Sequence, residues 1–248
     1  MSEQQLDVLV FGAHPDDVEL MCGGTMIKMA QKGYRIGAVS LTAGEMGSRG
    51  SAQIRSREFD KASEIMGLAL HKVLDIADGR VSVCDENKQK VIQEIRRYRP
   101  TIVFAPYWRT RHPDHGHCSA LVREASFLSG LKKIQTEFAA YRPVRVIHYM
   151  ERFEFLPSFI VNITEAFEKK LDAIKAYKSQ IYQADDSQEE TEKTYISSYS
   201  FLQSIVFKSQ YWGHKIGCLY GEPFYCNELI NIDDPVQHFR NYVMAGLL

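Results

Sequence analysis

The stretch AHPDD, residues 13–17, sets the imidazole of His14 beside two consecutive carboxylates, Asp16 and Asp17. Much later, RHPDHG, residues 111–116, repeats the pattern with His112, Asp114 and His115. Imidazole nitrogens and carboxylate oxygens are the ligands of a catalytic zinc, which takes three of them and keeps a fourth position for water. One imidazole and one carboxylate from the first motif, with one imidazole from the second, would make such a set. A further carboxylate beside the metal can take the proton of the bound water, whose pKa the metal lowers to about 7. Taken alone, AHPDD also reads as a loop histidine followed by a helix cap. Two such clusters in one crevice would leave that reading little room.

Whether they meet depends on the elements that carry them. LDVLVF (6–11) reads as a buried strand, followed by a helical stretch from Val18 to Lys32 that Gly33 stops. RIGAVSLT (35–42) is a second strand, and residues 52–67 repeat Ile54, Phe59, Ala62, Ile65 and Met66 near helical spacing. HKVLDI (71–76) and TIVFAP (101–106) are further strands, separated by a charged helix over 87–98 that reads as exposed. A helix over 116–133 leads to a fifth strand at 144–150. This alternation predicts an α/β fold, Rossmann-like and doubly wound, whose mostly parallel sheet carries helices on both faces. With strand order 3-2-1-4-5, strands 1 and 4 are neighbours, and the crevice at their carboxyl ends is where ligands bind. AHPDD follows strand 1 and RHPDHG follows strand 4, so the winding brings them together. Beyond residue 150 the pattern loosens into a strand at 159–163, helices over 165–181 and from 195, and an acidic surface run at 185–193. With no linker or repeat visible, residues 1–248 read as a single domain.

Bulk composition narrows the partners. A formal net charge of -1 over 248 residues gives no reason to expect nucleic acid or an anionic membrane. The N-terminus has neither the basic start nor the long apolar core of a signal peptide, and no run is long enough to span a bilayer. Five scattered cysteines form no C-x-x-C pair, which argues against a disulfide framework or a zinc knuckle. The expectation is a cytoplasmic protein.

The two H-P-D motifs resemble the signatures of the LmbE/PIG-L family of zinc-dependent N-acetylglucosaminyl deacetylases. GEMGSRGSAQIRSREFDKA (44–62) is similar to the members that deacetylate N-acetylglucosaminyl-malate in bacillithiol biosynthesis. The resemblance runs from Leu6 to Gly130 and continues weakly at YGEPF (220–224). It implies that His14, Asp17 and His115 bind Zn2+, with Fe2+ able to take its place at such ligands. It implies Asp16 as general base, and His112, oriented by Asp114, as oxyanion stabiliser and proton donor to the leaving amine. Physical chemistry agrees: a ligating carboxylate is a poor base, so adjacent aspartates should divide the work. A histidine paired with a carboxylate is more easily held protonated. Which of His112 and His115 is the ligand rests on the resemblance, not on spacing. Arg55 is implied as a substrate-binding group, for which a guanidinium suits carboxylates, though an arginine in AQIRSRE is ordinarily an exposed helix residue. Arg49 lies near the same edge, and Tyr195 is a weaker candidate to close over the sugar. His117, Cys118 and Cys22 read as bystanders or core. Family members are often hexamers, so the implied partners are an N-acetylated sugar and further copies of the chain.

Two rivals stand beside this reading. A deacetylase of another acetylated sugar, such as N-acetylglucosamine or diacetylchitobiose, would use the same residues. A non-catalytic Rossmann module for a sugar or nucleotide is disfavoured, because the turn after strand 1 has no G-x-G-x-x-G and SLTAGE has no acidic tip to hold a ribose.

Overall fold

Leu9 and Phe11 point to one face of the first strand and Val8 and Val10 to the other, and all four are buried. A strand covered on both faces reads as a continuous apolar run, which is why LDVLVF is legible. The computed structural model describes residues 5–182 and 194–240. Its first five strands, β1 (Val8–Gly12), β2 (Ile36–Ser40), β3 (Leu70–Val73), β4 (Ile102–Pro106) and β5 (Arg145–Tyr149), are parallel. They alternate with α1 (Asp17–Gln31), α2 (Ala52–Met66), α3 (Asp85–Tyr98) and α4 (Pro113–Leu128). After β5 come β6 (Phe159–Asn162), a 3-10 turn at Thr164–Ala166, α5 (Phe167–Lys175), α6 (Tyr199–His214), β7 (Gly221–Cys226) and α7 (Pro235–Arg240). The sheet order is β3-β2-β1-β4-β5-β7-β6, so the expected winding holds and β1 lies beside β4. Residues of α1, α2, α5 and α6 form one apolar layer, and those of α3 and α4 form the other.

Two local expectations change, and one strand was not foreseen. The charged helix α3 is not simply exposed: Val91, Ile92 and Ile95 are buried, and the buried Arg96 guanidinium donates to the carbonyls of Ser129, Leu131 and Ile134. The helix expected over 116–133 begins earlier, at Pro113, with His112 as its cap. Proline suits a first helical position because its missing N–H has no intrahelical partner there. GEPFYC, which takes in most of YGEPF, forms β7, antiparallel between β5 and β6. Pro223 conceals that strand, since proline ordinarily argues against an interior strand. The acidic run at 185–193 lies outside the described residues.

α1 is broken at Cys22, whose φ of -139° and ψ of 15° leave the helical region. The amides of Gly24 and Thr25 therefore donate not to the preceding turn but to the Glu222 carboxylate of β7, at 3.0 and 2.7 Å. Lys170 Nζ, also buried, donates to the same carboxylate at 2.6 Å. A Cβ at Gly24 would stand 2.7 Å from Ile163 Cδ1 and 3.0 Å from Glu222 Oε1, so a side chain there would crowd this carboxylate and the segment after β6.

Candidate metal centre and active site

Both motifs sit where a parallel strand ends and a helix begins. Asp17 opens α1, and its Oδ2 accepts the backbone N–H of His14 at 2.9 Å. The positive end of the helix favours a carboxylate there. Asp16, in the cap position, has φ 113°, a left-handed conformation that is costly for a residue with a Cβ. In the second motif, His112 caps α4 and its Nδ1 accepts the backbone N–H of Asp114 at 3.2 Å. His115 follows on the first turn.

The two motifs meet. His14 Nδ1 and His115 Nε2 face each other at 3.0 Å. Asp17 reaches both rings, Oδ2 at 3.8 Å from His14 Nδ1 and Oδ1 at 3.4 Å from His115 Nε2. The outer nitrogens face carboxylates. His14 Nε2 is hydrogen-bonded to Asp78 Oδ1 at 2.8 Å and lies 3.6 Å from Asp114 Oδ2. His115 Nδ1 lies 2.6 Å from Glu151 Oε1, a close ion-pair approach at an angle poor for a hydrogen bond. Neutral rings so placed carry their protons outward and turn their inner lone pairs toward one point. A tetrahedral zinc with bonds of 2.0–2.1 Å sets two nitrogens roughly 3.3 Å apart, close to the spacing here. His14, Asp17 and His115 therefore fit a divalent metal ion. His112 is near as well, since one nitrogen from each of His14, His112 and His115 lies within 4.8 Å of the others. His112 is the exposed member of the three.

The electrostatics separate the neighbours. Burial resists charge on His14, but Asp114, Asp78 and Asp17 together hold its pKa up at about 10. Burial likewise resists charge on His115, which Asp17 and Glu151 raise to about 9. Burial pushes Asp16 up to about 6, with Arg55 opposing and Asp17 assisting. Asp17, equally buried, is held below the ordinary carboxylate range by the charges of His115 and His14. His112 departs from expectation. Burial and then the charges of His115 and His14 push it down, because the Asp114 carboxylate is engaged elsewhere. That carboxylate accepts the amides of Gly79 at 2.7 Å and Val81 at 3.3 Å. Asp114 thus orients His112 through its backbone N–H rather than by an ion pair.

Residues 9–126, which include both motifs, match the family described as PIG-L, GlcNAc-PI de-N-acetylase. The structure of the conserved protein TT1542 from Thermus thermophilus superposes with a TM-score of 0.83 at 35% identity, covering 92% of this chain and 97% of that one. This chain belongs to the PIG-L family. It is 29% identical over 185 residues to the diacetylchitobiose deacetylase of Thermococcus kodakarensis, covering 70% of this chain and 69% of that protein. It is equally 29% identical, over 189 residues, to a probable N-acetyl-alpha-D-glucosaminyl L-malate deacetylase 2 of Bacillus cereus, covering 70% of this chain and 83% of that protein. The PIG-L chain is an enzyme, an N-deacetylase.

The remaining candidates of this PIG-L enzyme fall in different places. Arg55, the implied substrate-binding group, is buried at 5% exposure and turned into the protein rather than lying on an exposed helix face. The reason is the demand for its donors: Nη1 donates to the Gly44 carbonyl and Nη2 to the Pro15 carbonyl, each at 2.8 Å. Arg49 is half-buried in the loop before α2, and its carbonyl accepts Gln180 Nε2 at 2.7 Å. Tyr195 is exposed beneath the Arg152 guanidinium, 5.3 Å from its ring centre. Cys22 and Cys118 are core residues and His117 is exposed, as expected. Sequence reasoning missed Asp78 and Glu151, which follow β3 and β5. The signal available was their position past the carboxyl ends of parallel strands, the same rule that located the two motifs. Asp78 also accepts the Met46 amide at 2.9 Å, while its own amide donates to Glu45 Oε1 at 2.7 Å. The loop after β2 is thereby tied to His14.

Proposed function

We propose that this enzyme removes acetate from N-acetylglucosaminyl-malate, leaving glucosaminyl-malate, with His14, Asp17 and His115 holding a zinc or iron(II) ion. When bound, the metal polarises the acetyl carbonyl and acidifies water. Asp16 accepts the proton of the attacking water, a role suited to a buried carboxylate with a pKa of about 6. His112 Nδ1 is occupied by the Asp114 amide, so Nε2 carries the ring proton. From there it donates a hydrogen bond to the developing oxyanion, and the proton that Asp16 took from the water passes to the departing amine. The observation that carries this reading is the 3.0 Å approach of His14 Nδ1 to His115 Nε2, with Asp17 touching both rings.

The malate conjugate is supported by the similarity of segment 44–62 and by the Bacillus relative. Diacetylchitobiose is the second reading, favoured by the equal identity to the Thermococcus relative. The enzyme works as a single-domain chain within a cytoplasmic homo-oligomer, a hexamer. Among the described residues no helix is long and apolar enough to cross a membrane. Leu229, Ile230, Ile232, Val236 and Phe239 are exposed within one short stretch, apolar surface that a further copy could cover. An acetate-release assay across N-acetylglucosaminyl-malate, diacetylchitobiose and N-acetylglucosamine tests the substrate. The highest kcat/KM is expected on the malate conjugate. Equal or better turnover of diacetylchitobiose would hand the assignment to the second reading, and no acetate from any of the three would end both.

A further inference from the structure

Arg55 lies on the first turn of α2, which Ser51 caps by accepting the Ile54 amide at 3.3 Å. Its guanidinium joins two loops that border the crevice. Gly44 belongs to the loop after β2 and Pro15 to the turn after β1, and both carbonyls accept from it. Nη2 also stands 3.5 Å from Asp16 Oδ2. Nε is buried without a hydrogen-bond partner. The loop after β2 is shaped to this side chain: Gly44 has φ +68°, and a Cβ there would fall 1.9 Å from Nη1.

The neighbouring strain gives the arrangement a purpose. A non-glycine residue at φ 113° costs on the order of 1–3 kcal/mol and persists only where its surroundings over-determine it. On one side of Asp16, the Pro15 carbonyl is fixed by Arg55. On the other, the Leu20 amide fixes the Asp16 carbonyl at 3.0 Å. Asp16 is clamped between them, its carboxylate steered by the same guanidinium.

We infer that Arg55 is a positioning residue that locks the strained Asp16 turn into its working geometry, and that it does not read a negative charge on the substrate. The inference rests on the reading of Asp16 as general base. A lock of this kind acts on the chemical step and is indifferent to the aglycone, whereas a charge reader acts on the affinity for one class of substrate.

The test uses metal-loaded Arg55→Ala and Arg55→Lys proteins with N-acetylglucosaminyl-malate and with diacetylchitobiose. In Arg55→Ala, kcat should fall by roughly 10²-fold on both, the effect of displacing a reacting group by about 1 Å. KM should stay within about twofold, as when an interaction specific to the transition state is lost. Added guanidinium ion should restore part of kcat on both substrates, which a simple folding defect would not permit. A loss concentrated in KM for the malate conjugate, with the neutral sugar spared, would overturn the lock, as would near-normal kcat on both. If the unaltered enzyme releases acetate from neither substrate, the deacetylase reading fails, and the lock is judged from a crystal structure of Arg55→Lys. Asp16 leaving its positive φ there supports the lock; an unchanged Asp16 overturns it.

Discussion

His14 Nε2 lies 2.8 Å from Asp78 Oδ1, and this hydrogen bond points the opposite nitrogen of the ring at His115. A carboxylate behind a ligating imidazole fixes its tautomer and raises its basicity, and losing it typically costs about 10- to 100-fold in metal affinity. Asp78→Asn and Glu151→Gln should each weaken zinc binding within that range while leaving the chain folded. Competition with a chromogenic chelator measures it. Unchanged affinity in both variants would remove these carboxylates from the support of the metal.

Asp16→Asn separates base from ligand. The neighbouring Asp17 carries the contacts to both imidazoles, so the variant should retain its metal. Its kcat should fall by roughly 10²- to 10⁴-fold, the range for losing a general base. Elemental analysis alongside steady-state kinetics decides the matter. Loss of the metal with the activity would mean that Asp16 is a ligand.

The metal-free protein should become less stable as pH rises through neutrality. His14 and His115 have folded pKa values of about 10 and about 9, above the ordinary 6.5. Their stabilisation is complete below about pH 6.5 and is lost as pH climbs through 9 to 10. Asp16, raised from 3.8 to about 6, and Glu19, raised from 4.5 to about 8, favour the protonated form and add losses of the same sign at lower pH. The lowered carboxylates of Asp17, Asp78 and Asp114 act only in the acid range. The Tm of metal-free enzyme should therefore drop between about pH 7 and pH 9. Zinc, which requires deprotonated imidazoles, should blunt the drop. A flat or rising profile without metal would contradict the charge state assigned to the two rings.

What the sequence disclosed and what it hid have separate physical causes. The central strands β1 and β2 are buried on both faces and β4 nearly so, so apolar runs such as LDVLVF announce themselves, and the winding rule then places AHPDD against RHPDHG. The burial of Arg55 was not legible because periodicity reports which face of α2 is apolar. It cannot report that two distant carbonyls, those of Gly44 and Pro15, compete for a guanidinium. Asp78 and Glu151 are single carboxylates without a motif, and only the folded loops show that each backs a histidine. His112 was expected to be charged through Asp114, but that carboxylate is drawn to the amides of Gly79 and Val81, which no local pattern encodes.

Glu222→Ala should be costly although it lies outside the metal cluster. The change strands the buried Lys170 ammonium and the Gly24 and Thr25 amides together. Removing one partner of a buried ion pair typically costs about 3–5 kcal/mol. Urea denaturation should show a loss of that order, with a smaller loss for Glu222→Gln, whose amide oxygen still accepts. A change under about 1 kcal/mol for Glu222→Ala would show that water or repacking replaces the carboxylate.

The break in α1 also ties together parts of the chain that are remote in sequence. The acceptor for the Gly24 and Thr25 amides of the first helix is Glu222, 198 and 197 residues further along the chain. Lys170, 52 residues before Glu222, donates to the same carboxylate. Only with β7 seated between β5 and β6 does α1 have the acceptor for these amides, and Lys170 its counter-charge. β7 is thus the latch that completes a helix lying far earlier in the sequence.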